Sequence, residues 1–338
     1  MKKIVIAVVI LLIITGGVFA WQKSKQPTQI NAGQPFTVAL DWTPNTNHTG
    51  IYVALAQGWY KEQGLDVKIL PYSGNTSPDL LVSSGKADVG IGATEGVLED
   101  AATGTPVVSI AAIVQHDIYG LIANADNGIK SPKDLDGKIY GGFGSSYEQP
   151  VISKVIQTDG GRGDFKNVTL DIEALQALES HKIDFVWVSA AWELLDAQRK
   201  GMHVTFFPMI KYGIPDYYTP TIITSPKEIS QKKDLLKKFM TATAKGYEYA
   251  RQHPQVAAQD LINGAPKGTF PDPGLVIQSQ EYLSKNYADP GRKWGLQDKA
   301  DWHNYPQFLL DSNAIVDSNG KPIKSLNLDS LYTNEFLQ

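Results

Sequence analysis

The sequence of 338 residues contains no cysteine. This absence excludes disulfide bonds, thiolate metal sites, cysteine nucleophiles and iron–sulfur clusters. The sequence also has neither the GxSxG pattern of a serine hydrolase nor the HExxH pattern of a zinc protease, and its six histidines are scattered without the spacing of metal ligands. We therefore expect no metal and no catalytic residue, and function should rest on oxygen, nitrogen and aromatic groups.

A strong excess of charge of either sign is also missing. Lys and Arg number 31 against 35 Asp and Glu, a net charge of −4, so there is no electrostatic basis for binding nucleic acid. Hydrophobic residues make up 42% and charged residues 20%, as in ordinary globular proteins, which excludes disorder and a multi-span membrane protein. The length favours two lobes over one compact domain.

Residues 1–21 have the features of an export segment. Two lysines precede an apolar run at residues 4–14, and small residues follow at 16–20 in a pattern typical of signal-peptidase sites. An uncleaved anchor is the alternative, because the segment reaches the lower limit of about 17 residues for spanning a bilayer. Residues 22–35 are polar and rich in breakers, which predicts a linker. The protein should therefore work in the periplasm or on the outer face of the cytoplasmic membrane.

Short apolar strands alternate with amphipathic helical stretches from residue 36 onward. We predict strands at 36–40, 65–70, 87–91, 107–112, 138–141, 183–188 and 203–206, and we note two further short apolar stretches at 119–123 and 220–224. We predict helices at 50–63, 77–84, 95–103, 148–158, 172–179, 190–200, 232–251, 254–263, 273–286 and 297–312. This order predicts an α/β fold with mostly parallel sheets and helices on both faces.

The order of these elements predicts that the chain crosses between two lobes near 119–123 and again near 218–224. The first lobe would comprise residues 36–118 and 225–338, and the second lobe residues 119–224. A ligand cleft should lie between the lobes, because parallel strands direct their carboxyl ends and the following helix N-termini towards it.

The loops after the predicted strands carry aromatic and hydrogen-bonding side chains. Aromatic faces can stack on a flat ring for about 0.5–1.5 kcal/mol per pair beyond area burial. A carboxylate can accept hydrogen bonds from amino substituents of such a ring, and amide or hydroxyl groups can add neutral contacts. The candidate ligand-binding residues are Trp42, Asn45, His48, Glu95, Ser145, Tyr147, Trp187, Trp192, Glu193 and Tyr218. Together they predict a site for a small planar heteroaromatic ligand.

Several of these residues also have structural interpretations. Trp192 could pack in the core, and Glu193 could be an acid favoured at a helix N-terminus. His48 could donate to a ligand or cap the following helix. The glycine-rich stretch at 141–146 could cradle an anionic group with backbone N–H groups, or one of its serines could cap the next helix.

Gly90, Gly92 and Gly96 follow a predicted strand, with Asp117 about twenty residues further on, and superficially resemble a dinucleotide-binding fingerprint. The glycine spacing is off by one, and the motif is not in the first βαβ unit. We therefore expect no nucleotide cofactor.

Five segments, at residues 40–70, 83–97, 182–193, 212–224 and 239–262, resemble substrate-binding proteins of ABC importers in the NMT1/Thi5-like family. The first reads LDWTPNTNHTGIYVALAQGWYKEQGLDVKIL and the third KIDFVWVSAAWE. The resemblance covers essentially the whole body of the chain and is greatest to the branch that binds formylaminopyrimidine, a thiamine precursor. It implies a periplasmic-binding-protein-like fold of type II, with two lobes that close about two hinge crossovers.

The family's Trp-Glu pair falls on Trp192 and Glu193, where the acid would hold the amino group of the ring. The resemblance places Trp42 and Asn45 on a cleft loop, and Tyr217 and Tyr218 at the second crossover. It implies a receptor that captures a pyrimidine of formylaminopyrimidine or hydroxymethylpyrimidine type and delivers it to the membrane subunits of an ABC permease. We expect this receptor to be a monomer. Riboflavin and alkanesulfonates or taurine, which relatives bind, are the alternative ligands.

Pyrimidine-precursor synthases of the same fold are a further alternative. The resemblance implies that they need a cofactor-bearing lysine and a histidine in the segment corresponding to residues 90–98, together with a cysteine-rich iron motif. This sequence has Gly92 and Gly96 in that segment and no cysteine. We therefore expect a binding protein with neither catalytic activity nor cofactor. The missing cysteine also excludes a lipoprotein anchor, so that the N-terminal segment would be the link to the membrane.

Overall fold

The computed structural model describes residues 33–170 and 174–337. The predicted export segment, residues 1–21, lies outside the described residues, as does most of the predicted linker at 22–35. The start of the helix predicted at 172–179 also lies outside them. Within the described part of the chain, no helix combines the length and the apolar character needed to cross a bilayer.

The strands form two five-stranded sheets. The first sheet contains β1 (Gln34–Ala39), β2 (Leu65–Leu70), β3 (Val89–Gly92), β4 (Val108–Ala112) and β10 (Thr221–Thr224), in the order β2-β1-β3-β10-β4. The second sheet contains β5 (Tyr119–Asn124), β6 (Ile139–Gly142), β7 (Lys166–Thr169), β8 (Phe185–Ser189) and β9 (Val204–Pro208), in the order β7-β6-β8-β5-β9. The two sheets therefore have equivalent strand orders, with β10 and β5 in corresponding positions.

The strands β5 and β10 run opposite to both of their neighbours, whereas the other four strands of each sheet share one direction. Along the chain, β5 follows the last parallel strand of the first sheet, and β10 follows the last parallel strand of the second. The chain therefore passes between the sheets twice. This topology confirms the prediction of a two-lobed α/β fold with mostly parallel sheets and two crossovers.

Two predicted boundaries differ from the structure. β10 lies in the first sheet, although the prediction assigned residues 119–224 to the second lobe. Its sequence TIIT is fully buried between β3 and β4, so the return crossover itself completes the first sheet. β1 includes Gln34 and Pro35, which the prediction placed in the linker. The division into lobes at 36–118 with 225–338 and at 119–224 otherwise stays a prediction.

Twelve α-helices of the described residues cover the sheets. They are α1 (Thr49–Ala56), α2 (Trp59–Glu62), α3 (Pro78–Ser83), α4 (Thr94–Thr103), α5 (Glu148–Thr158), α6 (Ala174–Glu179), α7 (Glu193–Arg199), α8 (Pro226–Gln231), α9 (Lys233–Gln252), α10 (Pro254–Gly264), α11 (Pro273–Leu283) and α12 (Lys299–Asp311). The helix predicted at 50–63 is two helices, because the chain adopts a left-handed conformation at Gly58, with φ of 74°. The strand β7 was not predicted, since its exposed KNVT sequence carries little apolar alternation.

The packing of α9 on β1, α1 and α2 supports the loop that joins β1 to α1. Phe239 of α9 stacks on Phe36 and on Tyr60, with ring centroids 4.7 and 5.3 Å apart. A Cβ atom at Gly246 would lie 2.0 Å from the carbonyl oxygen of Gly50, so this close approach of the two helices requires glycine. Because α1 is held in this way, the loop that joins β1 to α1 has a defined position at the carboxyl end of the first sheet.

Contacts between the two lobes close one margin of the cleft. Arg199, the last residue of α7, donates paired hydrogen bonds of 2.8 and 2.9 Å to Asp272, which precedes α11. The hydroxyl of Ser279 in α11 donates to the carbonyl oxygen of Ala191. The loops at the carboxyl ends of both sheets therefore face a shared space.

Candidate functional site

The space between the lobes contains two adjoining cavities, of about 300 and about 150 Å³. The larger cavity lies between the loop after β1 and the carboxyl end of β8, and the smaller one lies against the start of α4 and the second crossover. The residues that line both are Tyr119, Phe143, Trp187, Val188, Ser189 and Glu193. These shared walls make the two cavities one continuous site whose volume suits a small ligand.

Seven of the ten candidate residues line this site. Those on the larger cavity are Trp42, Asn45, Trp187, Trp192 and Glu193, and those on the smaller are Glu95 and Tyr147, with Trp187 and Glu193 on both. The structure places His48, Ser145 and Tyr218 elsewhere. The prediction from strand ends therefore brings most of the aromatic and acidic residues together.

Aromatic side chains form the walls of the larger cavity and support one another. Trp187 lies edge-on to Phe143 and Tyr147, with ring centroids 6.0 and 6.1 Å apart. Trp42 packs against Tyr72 at 5.4 Å. Because these neighbours restrict their rotation, the indole rings present fixed faces on which a flat ligand can stack.

Glu193 projects a carboxylate into both cavities. It is the first residue of α7, and its Oε2 accepts a hydrogen bond of 3.0 Å from the backbone N–H of Ser189 at the end of β8. Burial raises the pKa of Glu193, and hydrogen bonds from the backbone N–H groups of Glu193 itself and of Ser189 only partly offset the effect. A donor on a bound ligand would stabilise the ionised carboxylate, so Glu193 is suited to hold an amino group.

Glu95 lines the smaller cavity from the second position of α4. Its Oε1 accepts a hydrogen bond of 2.7 Å from the hydroxyl of Tyr305. Burial raises the pKa of Glu95 to about 7, against the lowering effect of the Tyr305 hydrogen bond. Since Tyr305 uses one carboxyl oxygen, the second oxygen can serve a ligand.

His48 supports the site without lining it. Its side chain is fully buried, and its Nδ1 accepts a hydrogen bond of 3.2 Å from the backbone N–H of Asn45. The proton must therefore be on Nε2, which donates to Asp41 at 2.7 Å. His48 therefore does not act as a ligand donor. It has a capping role, because its contact with Asn45 completes the capping box of the 3₁₀ helix Thr46–His48, and it also positions the cleft carboxylate of Asp41.

Asn45 lines the larger cavity, but its side chain already serves the loop. Its Oδ1 accepts from the backbone N–H of Asn47 at 2.9 Å and caps the 3₁₀ helix Thr46–His48, while Nδ2 donates to the carbonyl of Thr43 at 3.2 Å. For a ligand, only the second N–H of its Nδ2 and the second lone pair of its Oδ1 remain.

The glycine-rich loop is an anion cradle, but its anion belongs to the protein. The backbone N–H groups of Phe143, Gly144 and Ser145 donate to the carboxylate of Glu148 at 2.9, 2.7 and 2.8 Å. The hydroxyl of Tyr140 adds a fourth hydrogen bond at 2.7 Å, and Glu148 is completely buried. The prediction of an external anion in this loop is therefore wrong, and Ser145 lines neither cavity.

Tyr218 is also placed outside the two cavities. It is buried, its ring packs against Trp302, and its hydroxyl accepts a hydrogen bond of 2.8 Å from the backbone N–H of Asp298. Its neighbour Tyr217 lines the smaller cavity instead. Consecutive side chains of an extended segment point in opposite directions, which the sequence pattern did not resolve for this pair.

Sequence reasoning missed several lining residues. Asp41, Tyr119, Phe143 and Tyr217 contribute to the walls of the two cavities. Asp41 and Phe143 lie in loops directly after β1 and β6, so their position at strand ends was a usable signal. Tyr119 begins an antiparallel strand, and its place in the cleft depends on the crossover.

The site is acidic. Among the described residues that line the two cavities, Asp41, Glu95 and Glu193 are acidic, and none is lysine, arginine or histidine. Burial raises the pKa of Tyr119 well above its usual range, and the nearby charges of Glu193 and Asp41 raise it further. This environment favours a neutral or cationic ligand that donates hydrogen bonds and disfavours an anion.

The chain resembles curated proteins of thiamine metabolism along most of its length. It is 27% identical over 282 residues to a formylaminopyrimidine-binding protein of Halalkalibacterium halodurans, covering 80% of this chain and 83% of that protein. It is 24% identical over 306 residues to a 4-amino-5-hydroxymethyl-2-methylpyrimidine phosphate synthase of Legionella pneumophila, covering 89% of this chain and 92% of that enzyme.

Solved structures share the fold. The periplasmic aliphatic sulphonate-binding protein SsuA of Escherichia coli superposes with a TM-score of 0.67 at 10% identity, covering 90% of this chain and 99% of that one. At this identity the likeness concerns the fold alone. The family model described as NMT1/THI5 like matches residues 45–257, which span the cleft loops and both crossovers. With this match extending over more than half of the sequence, the chain belongs to the NMT1/THI5-like family.

Proposed function

We propose that this protein is the extracytoplasmic solute-binding component of an ABC importer and captures a thiamine-precursor aminopyrimidine between its two lobes. The observation that carries the proposal is the combination of Trp42, Trp187 and Trp192 with the cleft carboxylates of Asp41 and Glu193. Indole faces suit a flat ring, and a carboxylate accepts hydrogen bonds from its amino substituent. The relative named as a formylaminopyrimidine-binding protein supports the same ligand class.

The charge of the cleft argues against an alkanesulfonate or taurine. A sulfonate carries a full negative charge, and a site for it needs arginine, lysine or a set of free backbone N–H groups. The described lining has no basic side chain, and the N–H groups of the loop after β6 are taken by Glu148. The sulfonate-binding structures therefore share the fold with this protein without indicating its ligand.

The residues of the cleft also favour binding over synthesis. Several relatives are named pyrimidine phosphate synthases, so the family includes enzymes. In this chain no lysine is among the described lining residues, and His48 is buried against Asp41 instead of facing the cavities. The site thus offers carboxylates and aromatic faces, which suit capture of a ligand, and no amine to form a covalent bond with an aldehyde cofactor.

Export and delivery to a permease complete the proposal. The features of residues 1–21 indicate passage across a membrane, and a receptor with two crossovers can change its outer surface when the lobes close on a ligand. A monomer that closes in this way would present a ligand-dependent surface to the membrane subunits of the importer.

Calorimetric titration of the purified protein tests the proposal. The compounds are formylaminopyrimidine, hydroxymethylpyrimidine, riboflavin and taurine. We expect at least one pyrimidine to bind more tightly than riboflavin and taurine to show no heat of binding. Binding of taurine alone, or of no pyrimidine, would contradict the proposal. Incubation with pyridoxal phosphate and iron, followed by mass spectrometry, checks that no pyrimidine is formed.

A further inference from the structure

We infer that a separate cavity at the edge of the first sheet is a second ligand site, which takes an uncharged and mainly apolar small molecule with one hydrogen-bonding group. The cavity has a volume of about 670 Å³, larger than either cavity of the cleft and within the usual range for small-molecule sites. None of the described residues that line it lines a cleft cavity. The inference therefore does not depend on which ligand the cleft holds.

The walls of this cavity are rigid. The cavity lies at the carboxyl end of the edge strand β2, between α1 and the turn that follows α10. Prolines from three different segments line it, namely Pro44, Pro71 and Pro266. Because proline fixes its own φ angle and has no backbone N–H that needs a partner, these walls can keep their shape without a ligand. The cavity is therefore formed in advance of binding.

The loop after β1 separates this cavity from the cleft. Thr43 and Pro44 line the cavity, whereas Asp41 and Trp42 line the cleft. The ring of Trp42 packs against that of Tyr72, which lines the cavity, with centroids 5.4 Å apart. The cavity and the cleft are therefore neighbouring sites on opposite sides of one loop.

The lining of the cavity carries no charge. Among the described residues of its wall there is no acidic or basic side chain, and most are aliphatic or aromatic, such as Leu55 and Ile69. An ion would lose its hydration here without gaining a partner of opposite charge, which is costly. The class of molecule that fits is therefore uncharged and mainly apolar, in contrast to the ligand that suits the acidic cleft.

Tyr52 supplies a hydrogen-bonding group to this apolar wall. It is 3% exposed, and its ring packs with Ala258, Leu261 and Val276. Its hydroxyl has no hydrogen-bond partner among the described residues, and burial alone raises its pKa to about 12. The oxygen is not among the unpartnered polar atoms that are sealed from solvent, so a molecule in the cavity can reach it. Because buried polar groups are nearly always hydrogen-bonded, this hydroxyl is available to a ligand.

Titration of the full chain with a neutral fluorescent ketone, 6-propionyl-2-dimethylaminonaphthalene, tests the inference. We expect one molecule to bind per chain, with its emission shifted to the blue by the apolar lining. Tyr52→Phe keeps the ring but removes the hydroxyl, and should weaken binding about fivefold, the factor that one hydrogen bond supplies. The emission should then shift further to the blue, because the carbonyl of the ketone loses its donor. Tyr212→Phe, in the 3₁₀ helix Met209–Tyr212 outside this cavity, is the matched control and should change neither quantity.

Two further variants decide where the ketone binds. Ala265→Trp fills the cavity with an indole ring and should abolish binding, whereas Trp187→Ala alters the cleft and should leave binding unchanged. Loss of binding in Trp187→Ala alone would place the ketone in the cleft and overturn the second site, as would no binding to the unmodified protein. Equal affinity and emission in Tyr52→Phe and the unmodified protein would overturn the role of the hydroxyl. Should Tyr52→Phe not fold, Ala265→Trp and Trp187→Ala decide.

Discussion

Two glutamates occupy equivalent corners of the second sheet and have opposite roles. Glu148 begins α5 after β6, and Glu193 begins α7 after β8, and each carboxylate turns back to the backbone of the preceding loop. Glu148 accepts four hydrogen bonds and is completely buried. The carboxylate of Glu193 accepts one hydrogen bond from the loop, from the backbone N–H of Ser189, and faces the cleft. The first carboxylate is fully satisfied by the protein, and the second keeps capacity for a ligand.

The difference arises from the loops. The loop before Glu148 carries Gly144 at φ of 88°, a conformation that turns successive N–H groups towards one point. The loop before Glu193 reads SAAW and offers its carboxylate one N–H group, that of Ser189. The number of N–H groups that each loop supplies therefore decides how much of the carboxylate's hydrogen-bonding capacity the protein itself uses.

Glu95 occupies a similar strand-to-helix position in the first sheet, but its hydrogen-bond partner is a side chain and not a loop N–H group. It lies just after β3, near the start of α4, and receives its hydrogen bond from the side chain of Tyr305 in the distant α12. Like Glu193, Glu95 lines the cleft, and burial raises its pKa, to about 7.

The largest effect should come from replacing Glu148. In Glu148→Gln the new NH₂ group would face backbone N–H groups, which are also donors. Some of these buried N–H groups would therefore lose their acceptor. We expect the free energy of unfolding to fall by about 3 kcal/mol, because hydrogen bonds to a buried charge are lost together. Urea unfolding measures this change, with Glu62→Gln, at an exposed position at the end of α2, as a control that should leave stability unchanged.

The folded fraction of Glu148→Gln should bind its ligand with nearly unchanged affinity, since Glu148 does not line either cavity. A variant of normal stability but poor affinity would show that the carboxylate acts on the ligand, and the contrast between the two corners would be lost.

The next largest effect should come from Glu193→Gln, which should change ligand affinity strongly and stability little, the reverse of Glu148→Gln. We expect affinity for an aminopyrimidine to fall by about 10- to 100-fold, because a charged acceptor of its amino group becomes a neutral one. Stability should change little or increase, since burial disfavours the ionised carboxylate in the free protein. Calorimetric titration and urea unfolding on the same preparation separate the two quantities. Unchanged affinity would remove Glu193 from the site.

The fold was predictable because it depends on patterns that the sequence states directly. Apolar alternation located nearly every strand, and helical spacing located the long C-terminal helices such as α9. β7 escaped because its residues are exposed, and the sheet of β10 was misassigned because a short apolar strand does not show which lobe it joins.

The site was predictable as a set of loops but not side chain by side chain. Strand ends pointed to the correct loops, and aromatic residues such as Trp187 line the cleft as expected. The roles of His48 and Ser145 depended on hydrogen bonds to Asp41 and Glu148, which no periodicity encodes. The choice between Tyr217 and Tyr218 depended on backbone direction in an irregular segment.

A smaller effect should follow from changing the cradle backbone itself. Gly144→Ala places a side chain at φ of 88°, which costs about 1–2 kcal/mol for an L-residue. Gly160→Ala, at φ of 93° in an exposed turn, provides a control with the same backbone strain and no role in the cradle. If Gly144 acts through Glu148, then Gly144→Ala combined with Glu148→Gln should cost less than the sum of the two changes, whereas Gly160→Ala should add fully.

The smallest loss of stability should come from removing His116, an exposed cation that pairs with two carboxylates, in place of the buried N–H groups that bind Glu148. His116 on the first crossover lies 2.6 Å from Asp216 through Nδ1 and 3.2 Å from Asp289 through Nε2. Burial opposes its charge, but the hydrogen bonds and charges of Asp216 and Asp289 outweigh burial and raise the pKa of His116. The bridge therefore stabilises the fold fully below the ordinary histidine pKa of about 6.5 and loses this effect as the pH rises through the raised value.

His116→Gln should accordingly lower the free energy of unfolding by about 0.5 kcal/mol at pH 5.5, a small value because half of the His116 side chain is exposed and water screens the pair. The difference from the unmodified protein should shrink towards zero by about pH 9, where His116 is neutral in both the folded and the unfolded state. Urea unfolding of both proteins across this range measures the difference. A loss of stability that grows as the pH rises would contradict a raised pKa of His116. A loss as large as that of Glu148→Gln would show that an exposed ion bridge stabilises the fold as much as the buried hydrogen bonds to Glu148.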